Sequence, residues 1–185
     1  GRFFNRERET ERLLQSVIQS RGVQLIGQYR IGKSSLLKKF HKQLSHSEEL
    51  QDLKIIPVYY DLSRRPYLLN GNDFYARIWQ MTSYGLIQNG EELARLPDNQ
   101  DLEDPIEFEN YIEYWTKEKD YYIVWLLDEF GVIAGNKDFD VNFFNNLRAT
   151  LIDHDNLSFI VATPRSLYGY SHEQAKGSEL WNSLQ

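Results

Sequence analysis

The sequence predicts an α/β domain with a mostly parallel central sheet, and three observations carry that expectation. Short apolar runs alternate with segments of helical periodicity along most of the chain. The run Tyr121-Tyr122-Ile123-Val124-Trp125-Leu126-Leu127 holds seven apolar or aromatic residues without polar alternation. Such a strand is buried on both faces, as strands of parallel sheets are. Finally, the first short strand runs directly into a glycine-bearing loop and then a helix.

The elements follow in order. Residues 7–19 carry Leu13, Leu14, Val17 and Ile18 at spacings of three and four, an amphipathic helix that Gly22 ends. Val23-Gln24-Leu25-Ile26 is a short buried strand between glycines. A helix over 33–44 places Leu36, Leu37, Phe40 and Leu44 on one face. Ile55-Ile56-Pro57-Val58-Tyr59-Tyr60 is the second strand. Pro57 assigns it to a sheet edge or a bulge, because proline cannot donate to a ladder. Asp73 is the expected N-cap of a helix through Phe74, Ile78, Met81 and Leu86. The acidic stretch 89–105 is read as loop with a short helical piece over 91–96. A helix over 106–119 presents Phe108, Tyr111, Ile112 and Trp115. After the strong strand come a helix over 141–152 and a last strand, Ser158-Phe159-Ile160-Val161-Ala162.

Composition narrows the function classes. The 185 residues suit one domain with a real core. Lys plus Arg number 21 against 27 Asp plus Glu, a formal charge of −6. That balance does not indicate nucleic acid as a partner, since dedicated binders carry a basic excess; a local basic patch stays open. The absence of cysteine excludes a disulfide scaffold, a cysteine-rich zinc site and a thiol nucleophile, and fits a cytoplasmic location. No apolar run approaches the ~20 residues of a membrane span, and residues 1–6 contain no secretory apolar core.

Gly27-Gln28-Tyr29-Arg30-Ile31-Gly32-Lys33-Ser34 matches G-x-x-x-x-G-K-[ST] in full. The glycines let the loop curl until its N–H groups meet oxygen atoms. The helix that follows aims its unpaired amides at the same anion. Lys33 reaches the β- and γ-phosphates, and the Ser34 hydroxyl offers a hard oxygen to Mg²⁺. The nucleotide contacts expected here are Gly27, Arg30, Ile31, Gly32, Lys33, Ser34 and the adjoining Ser35. A chance match arises on the order of once in a hundred chains of this length, and this one lies between a strand and a helix, as the chemistry requires.

The strong strand ends Leu126-Leu127-Asp128-Glu129. Given the phosphate loop upstream, Asp128 is expected to hold the Mg²⁺ shell and Glu129 to polarise the attacking water. Both fall at the carboxyl end of a strand, where open α/β sheets bind ligands. The last strand runs out through Thr163-Pro164-Arg165. Thr163 is the candidate sensor of the γ-phosphate, and Arg165 a candidate cation for it.

With these residues assembled, the chain resembles the STAND and archaeal-ATPase branch of the AAA+-related ATPases over nearly its whole length. Phe3-Phe4-Asn5-Arg6-Glu7-Arg8-Glu9 is similar to that group's opening F-x-G/N-R-x-x-E motif. Residues 27–34 match Walker A, Leu126-Leu127-Asp128-Glu129-Phe130 matches Walker B, and 159–165 resembles the sensor 1 strand. The resemblance implies a three-layer α/β/α P-loop NTPase core, ATP with Mg²⁺, and an adenine pocket lined by Phe4 and Asn5. It also implies that 1–185 is a nucleotide-binding core cut before a lid and any C-terminal domains, with 177–185 approaching a fifth core strand. The expected role is a nucleotide-controlled switch for assembly, with homo-oligomer formation through neighbouring domains. The alternatives are a DNA-associated ATPase of replication-initiator or transposition-helper type and a nucleotide-gated interaction module without turnover. Pro164 departs from related sensor motifs, in which the arginine directly follows the polar pair.

Other constellations do not assemble. His41, His46, His154 and His172 form neither H-x-x-x-H nor H-E-x-x-H. Nucleophile-elbow and protein-kinase motifs are missing. Lys38, Lys39 and Lys42 read as a solvated helix face. Arg64 and Arg65 read as a surface loop. Trp79, Tyr84, Tyr111 and Trp115 are expected to pack helices onto the sheet.

Overall fold

A computed structural model of the chain describes residues 7–19, 22–46, 50, 52–64, 70–93, 105–167, 180 and 184. Among these residues four strands form one sheet: β1 (Val23–Ile26), β2 (Lys54–Asp61), β3 (Tyr121–Asp128) and β4 (Leu157–Thr163). Their order is β1-β4-β3-β2, and every pairing is parallel. Between them lie α1 (Glu7–Ile18), α2 (Lys33–His46), α3 (Gly71–Gln88), α4 (Pro105–Glu113), the short α5 (Gly131–Ala134) and α6 (Val141–Asp153).

Alternation along the strands sorts the helices into two layers. Ile123, Trp125 and Leu127 of β3 share a core with Phe159 and Val161 of β4 and with Phe74, Phe108 and Phe144 from α3, α4 and α6. Val124 and Leu126 face the other way, with Ile160 and Ala162, and meet Leu13 and Val17 of α1 and Leu37 and Phe40 of α2. The result is the expected α/β/α sandwich. Trp125 stacks on Phe159 with ring centroids 4.7 Å apart at the centre of the first core. Trp79, Trp115 and Tyr111 pack there as expected, whereas Tyr84 points outward at 49% exposure.

Pro57 pairs with Val124 on β2, an edge of the described sheet. There one row of N–H groups has no strand partner, so a missing donor is tolerated. Beside β1, Leu184 forms an isolated parallel bridge to Gly22; apart from Leu180 and Leu184, the 177–185 segment expected to approach a fifth strand lies outside the described residues. Among the described residues no helix is long and apolar enough to cross a membrane.

Three local readings change. Asn70, not Asp73, caps α3: its side-chain oxygen accepts the Asp73 N–H at 2.9 Å. Asp73 therefore lies in the first turn, where a carboxylate still favours the positive end of the helix dipole. The helix expected over 106–119 changes pitch, and Tyr114–Glu118 forms a π turn closed by the Lys119 N–H on the Tyr114 carbonyl. The Asn156 amide donates to the Thr116 carbonyl and the Thr116 hydroxyl to that of Ile112, so side chains supply hydrogen bonds that a regular helix would have made. Residues 91–93 are not helical, and the rest of the 91–96 piece lies outside the described residues.

Candidate functional site

All four strands are parallel, so their carboxyl ends open on one rim. Register aligns that rim closely. Asp61 pairs with Asp128, Leu127 with Val161, and Ile26 with Thr163. Backbone bonds stitch the connections leaving the strands: the Gly27 N–H donates to the Thr163 carbonyl, Leu62 to Asp128, and Phe130 to Ala162. The phosphate loop, the acidic strand end and the β4 exit are therefore neighbours.

Residues 27–32 link β1 to α2. Arg30 at φ 67° and Gly32 at φ 93° turn the loop through left-handed backbone, costly for arginine and free for glycine. A Cβ at Gly27 would meet Ile31 Cδ1 at 2.0 Å, the tip of an exposed side chain that would have to turn away. The Leu36 N–H donates to the Gly32 carbonyl, the first intrahelical bond of α2. The amides of Lys33, Ser34 and Ser35 precede it and have no acceptor within the helix. Lys33 is buried, and its Nζ donates to the carbonyls of Gly27 and Gln28. The ammonium is thus stored against its own loop, 5.9 Å from the centre of the Tyr29 ring. Ser34 is half-buried and Ser35 exposed.

Asp128 ends β3 at 1% exposure. Its Oδ2 accepts the Tyr59 hydroxyl at 2.7 Å, and its Oδ1 accepts the Glu129 N–H at 3.0 Å. Glu129 follows in a left-handed turn at φ 54°, pinned from the other side by fully buried Phe130. Burial raises the Glu129 pKa above the usual carboxylate value. The negative charges of Asp128 and Asp61 add to the rise, and the Lys33 ammonium opposes it. A carboxyl raised toward neutrality is a better proton acceptor near neutral pH.

Asp61 and Tyr59 had not been singled out as site residues. Asp61 accepts from the Ser63 hydroxyl at 2.6 Å and from Arg64 Nε at 3.3 Å. Burial acts to raise its pKa, but the hydrogen bonds from Ser63 and Arg64 outweigh burial and hold it below the usual value. Arg64 is thus tied to the strand end. The Tyr59 pKa is raised by burial and by the hydrogen bond to Asp128. No local motif marks these two residues; only the register of β2 on β3 brings them to Asp128.

Thr163 is fully buried, and its hydroxyl accepts from Gln24 Nε2 at 2.9 Å. Its odd-numbered neighbours on β4 face the α3, α4 and α6 layer, whereas Tyr59 and Leu126 face α2. Thr163 and Asp128 therefore come to the same rim from opposite faces of the sheet. Arg165 lines an open cleft of about 540 Å³ with Gln28, Tyr29 and Pro164, beside the phosphate loop. Phe4 and Asn5 lie outside the described residues.

The donor set fits a nucleotide with its metal. Unspent amides and Lys33 suit phosphate oxygens, and Ser34 and Asp128 offer hard oxygens to Mg²⁺. Among the described residues no three His, Asp or Glu side chains converge as a metal cage. Mg²⁺ does not require one, since it keeps water and takes phosphate oxygens alongside one or two protein ligands.

No protein-family profile and no curated protein matches the sequence. Solved structures do. The ORC2 protein of Aeropyrum pernix in its ADP form aligns over 97% of this chain and 45% of its own, with TM-score 0.65 and 15% identity. A Walker-type ATPase of Pyrococcus abyssi aligns over 94% and 51%, with TM-score 0.67 and 17% identity. The Aeropyrum pernix ORC1 protein, in complex with DNA, aligns over 94% and 43%, with TM-score 0.62 and 13% identity. The chain spans about half the length of these structures. At such identities the likeness shows the fold alone: an α/β arrangement around a parallel sheet, as in the ORC2 protein and in Cdc6p of Pyrobaculum aerophilum.

Proposed function

We propose that this chain is the nucleotide-binding core of an ATPase that uses ATP·Mg²⁺ as a switch. The observation that carries the reading is the convergence of a full phosphate loop with the Asp128–Glu129 strand end on one rim of a parallel sheet. The loop amides after Gly27, through Ser35, and the Lys33 ammonium hold the phosphates. Ser34 and Asp128 hold Mg²⁺, which draws negative charge from the phosphates when bound. Glu129 takes a proton from the attacking water, and its left-handed turn and the bond from its own N–H to Asp128 keep the two carboxylates in separate roles. Thr163 and Arg165 are assigned to the γ-phosphate side, and Phe4 and Asn5 to the adenine.

For the output, the switch controls assembly of a longer protein, as the STAND resemblance implies, with 1–185 as its ATPase core. A DNA-associated ATPase is the second reading, and the structural likeness favours it at least as strongly, because one similar structure was solved in complex with DNA. Duplex binding that weakens steeply with salt would select the second output. Nucleotide-dependent assembly without DNA would select the first.

The central claim is tested by titrating the chain with ATP·Mg²⁺ in a calorimeter. Lys33→Ala is expected to weaken binding tenfold or more, the loss of one charge-assisted contact of about 1.5–3 kcal/mol. Unchanged affinity in a folded variant removes the phosphate loop from the mechanism.

A further inference from the structure

Asp128 is held by two donors of this chain, and one of them belongs to no motif. The Glu129 N–H is supplied by the next residue in sequence. The Tyr59 hydroxyl comes from another strand, 69 residues away. In the β2–β3 register Tyr59 lies opposite Leu126, so Asp128 is its diagonal neighbour on the same sheet face. That face carries α2. The Nζ of Lys38 sits over the Tyr59 ring, 5.4 Å from its centroid. Lys38 follows Ser34 by four residues, one helical turn on the same face of α2. The ring is therefore braced by α2 on one side, and its hydroxyl is fixed on β3.

We propose that Tyr59 is a positioning residue, one that fixes the orientation of the Asp128 carboxylate for a Mg²⁺-bound nucleotide. The proposal deepens the function assigned above and rests on it. Each carboxylate oxygen accepts about two hydrogen bonds. One acceptor direction on Oδ2 is taken by Tyr59 and one on Oδ1 by Glu129, which sets the plane of the group and leaves the remaining lone pairs in fixed directions. A phenol donates without cancelling charge, whereas a lysine at the same place would neutralise the negative charge that a cation needs. Asp128 is 1% exposed, so bulk water does not replace a lost phenol. Partners behind a metal ligand act in this way, and losing one weakens metal binding by about 10–100-fold.

The test separates metal positioning from packing. A fluorescent ATP analogue is titrated onto the full chain across a range of Mg²⁺ concentrations and again with the metal chelated. Tyr59→Phe is expected to raise the half-saturating Mg²⁺ by about tenfold and to leave metal-free binding of the analogue unchanged. Displacement of Mn²⁺ from the complex, followed by electron paramagnetic resonance, should shift in step. Asp128→Asn should raise the Mg²⁺ requirement too, and Tyr59→Phe added to it should change nothing more. An unchanged Mg²⁺ midpoint in folded Tyr59→Phe, or an additive effect in the double variant, overturns the role of Tyr59 while the proposed function stands. Metal-independent binding by the unaltered chain, or none, overturns both. Should Tyr59→Phe fail to fold, Lys38→Met reads the same midpoint by releasing the ring: a rise supports the proposal, and no change overturns it.

Discussion

Glu129 is constrained from three directions at once. Its N–H is committed to Asp128, its backbone occupies the left-handed region, and its successor Phe130 is fully buried. A non-glycine residue is rarely held there without compensation, and such strain gathers at functional sites. Glu129→Gln keeps the shape and removes the proposed base. It also removes one negative charge from a group that includes Asp61 and Asp128. The variant is therefore expected to bind ATP at least as tightly as the unaltered chain and to hydrolyse it about 10²–10⁴ times more slowly. Single-turnover phosphate release measures this, and equal rates would move water activation to another group. Lys33, Ser34, Asp128 and Glu129 were identifiable as candidates in the sequence because each belongs to a contiguous pattern with a chemical reason. Tyr59 and Asp61 were not. Their relation to Asp128 depends on which residue of β2 faces which residue of β3, and a shift of one position would send Tyr59 to the opposite face.

At the scale of elements, hydrophobic periodicity located the four strands and the long helices, because burial on one face or two leaves a repeat in the sequence. The ends were less legible, since they depend on single hydrogen bonds. Asn70 competes with Asp73 for the cap of α3, and both are good capping residues; the structure gives the bond to Asn70. Asn70→Ala should lower stability by about 1 kcal/mol, read as a lower denaturant midpoint with an unchanged slope, and no loss would mean the cap is replaced by water. The π turn after α4 was hidden, and a side chain that bonds its backbone, the Asn156 amide on the Thr116 carbonyl, lies 40 residues away. Close packing of α3 on β2 gives a further test. A Cβ at Gly85 would meet Ile56 Cγ2 at 2.6 Å, and Ile56 is fully buried. Alanine gains about 1 kcal/mol of helix propensity there. The contact is backed by a strand rather than by a mobile side chain, so overpacking of about 1–3 kcal/mol prevails. Gly85→Ala is expected to lower the midpoint, and a raised midpoint would mean that α3 is free to slide on the sheet.

For the molecule as a whole, the candidate site lies where the two helical layers meet the rim of the sheet. The phosphate loop starts α2, which belongs to one core, while Asp128 and Glu129 end a strand that is packed by both cores and lead into Phe130 of the other. Burial of β3 on both faces was legible in its unbroken apolar run, and the three-layer arrangement was what the family resemblance implied. The spatial order of the strands was not legible, since it is set by crossovers that leave no local pattern. A ligand on that rim ties loops from β1 and β3 together and binds the folded state alone. Ligand at 100 times its Kd then adds about 2.7 kcal/mol to stability. A chain of this size gains about 2–4 °C in Tm per kcal/mol, so ATP·Mg²⁺ should raise Tm by about 5–10 °C. Removing Mg²⁺ should reduce the shift, because Ser34 and Asp128 are proposed to act through that ion. Lys33→Ala should reduce it too; because Lys33 is buried and donates to the carbonyls of Gly27 and Gln28, the quantity compared is the nucleotide-induced shift of each protein from its own nucleotide-free Tm. Thermal melts of both proteins, with and without ATP and Mg²⁺, provide the check. A melting temperature unmoved by ATP·Mg²⁺ at millimolar concentration would mean that the rim does not hold the nucleotide.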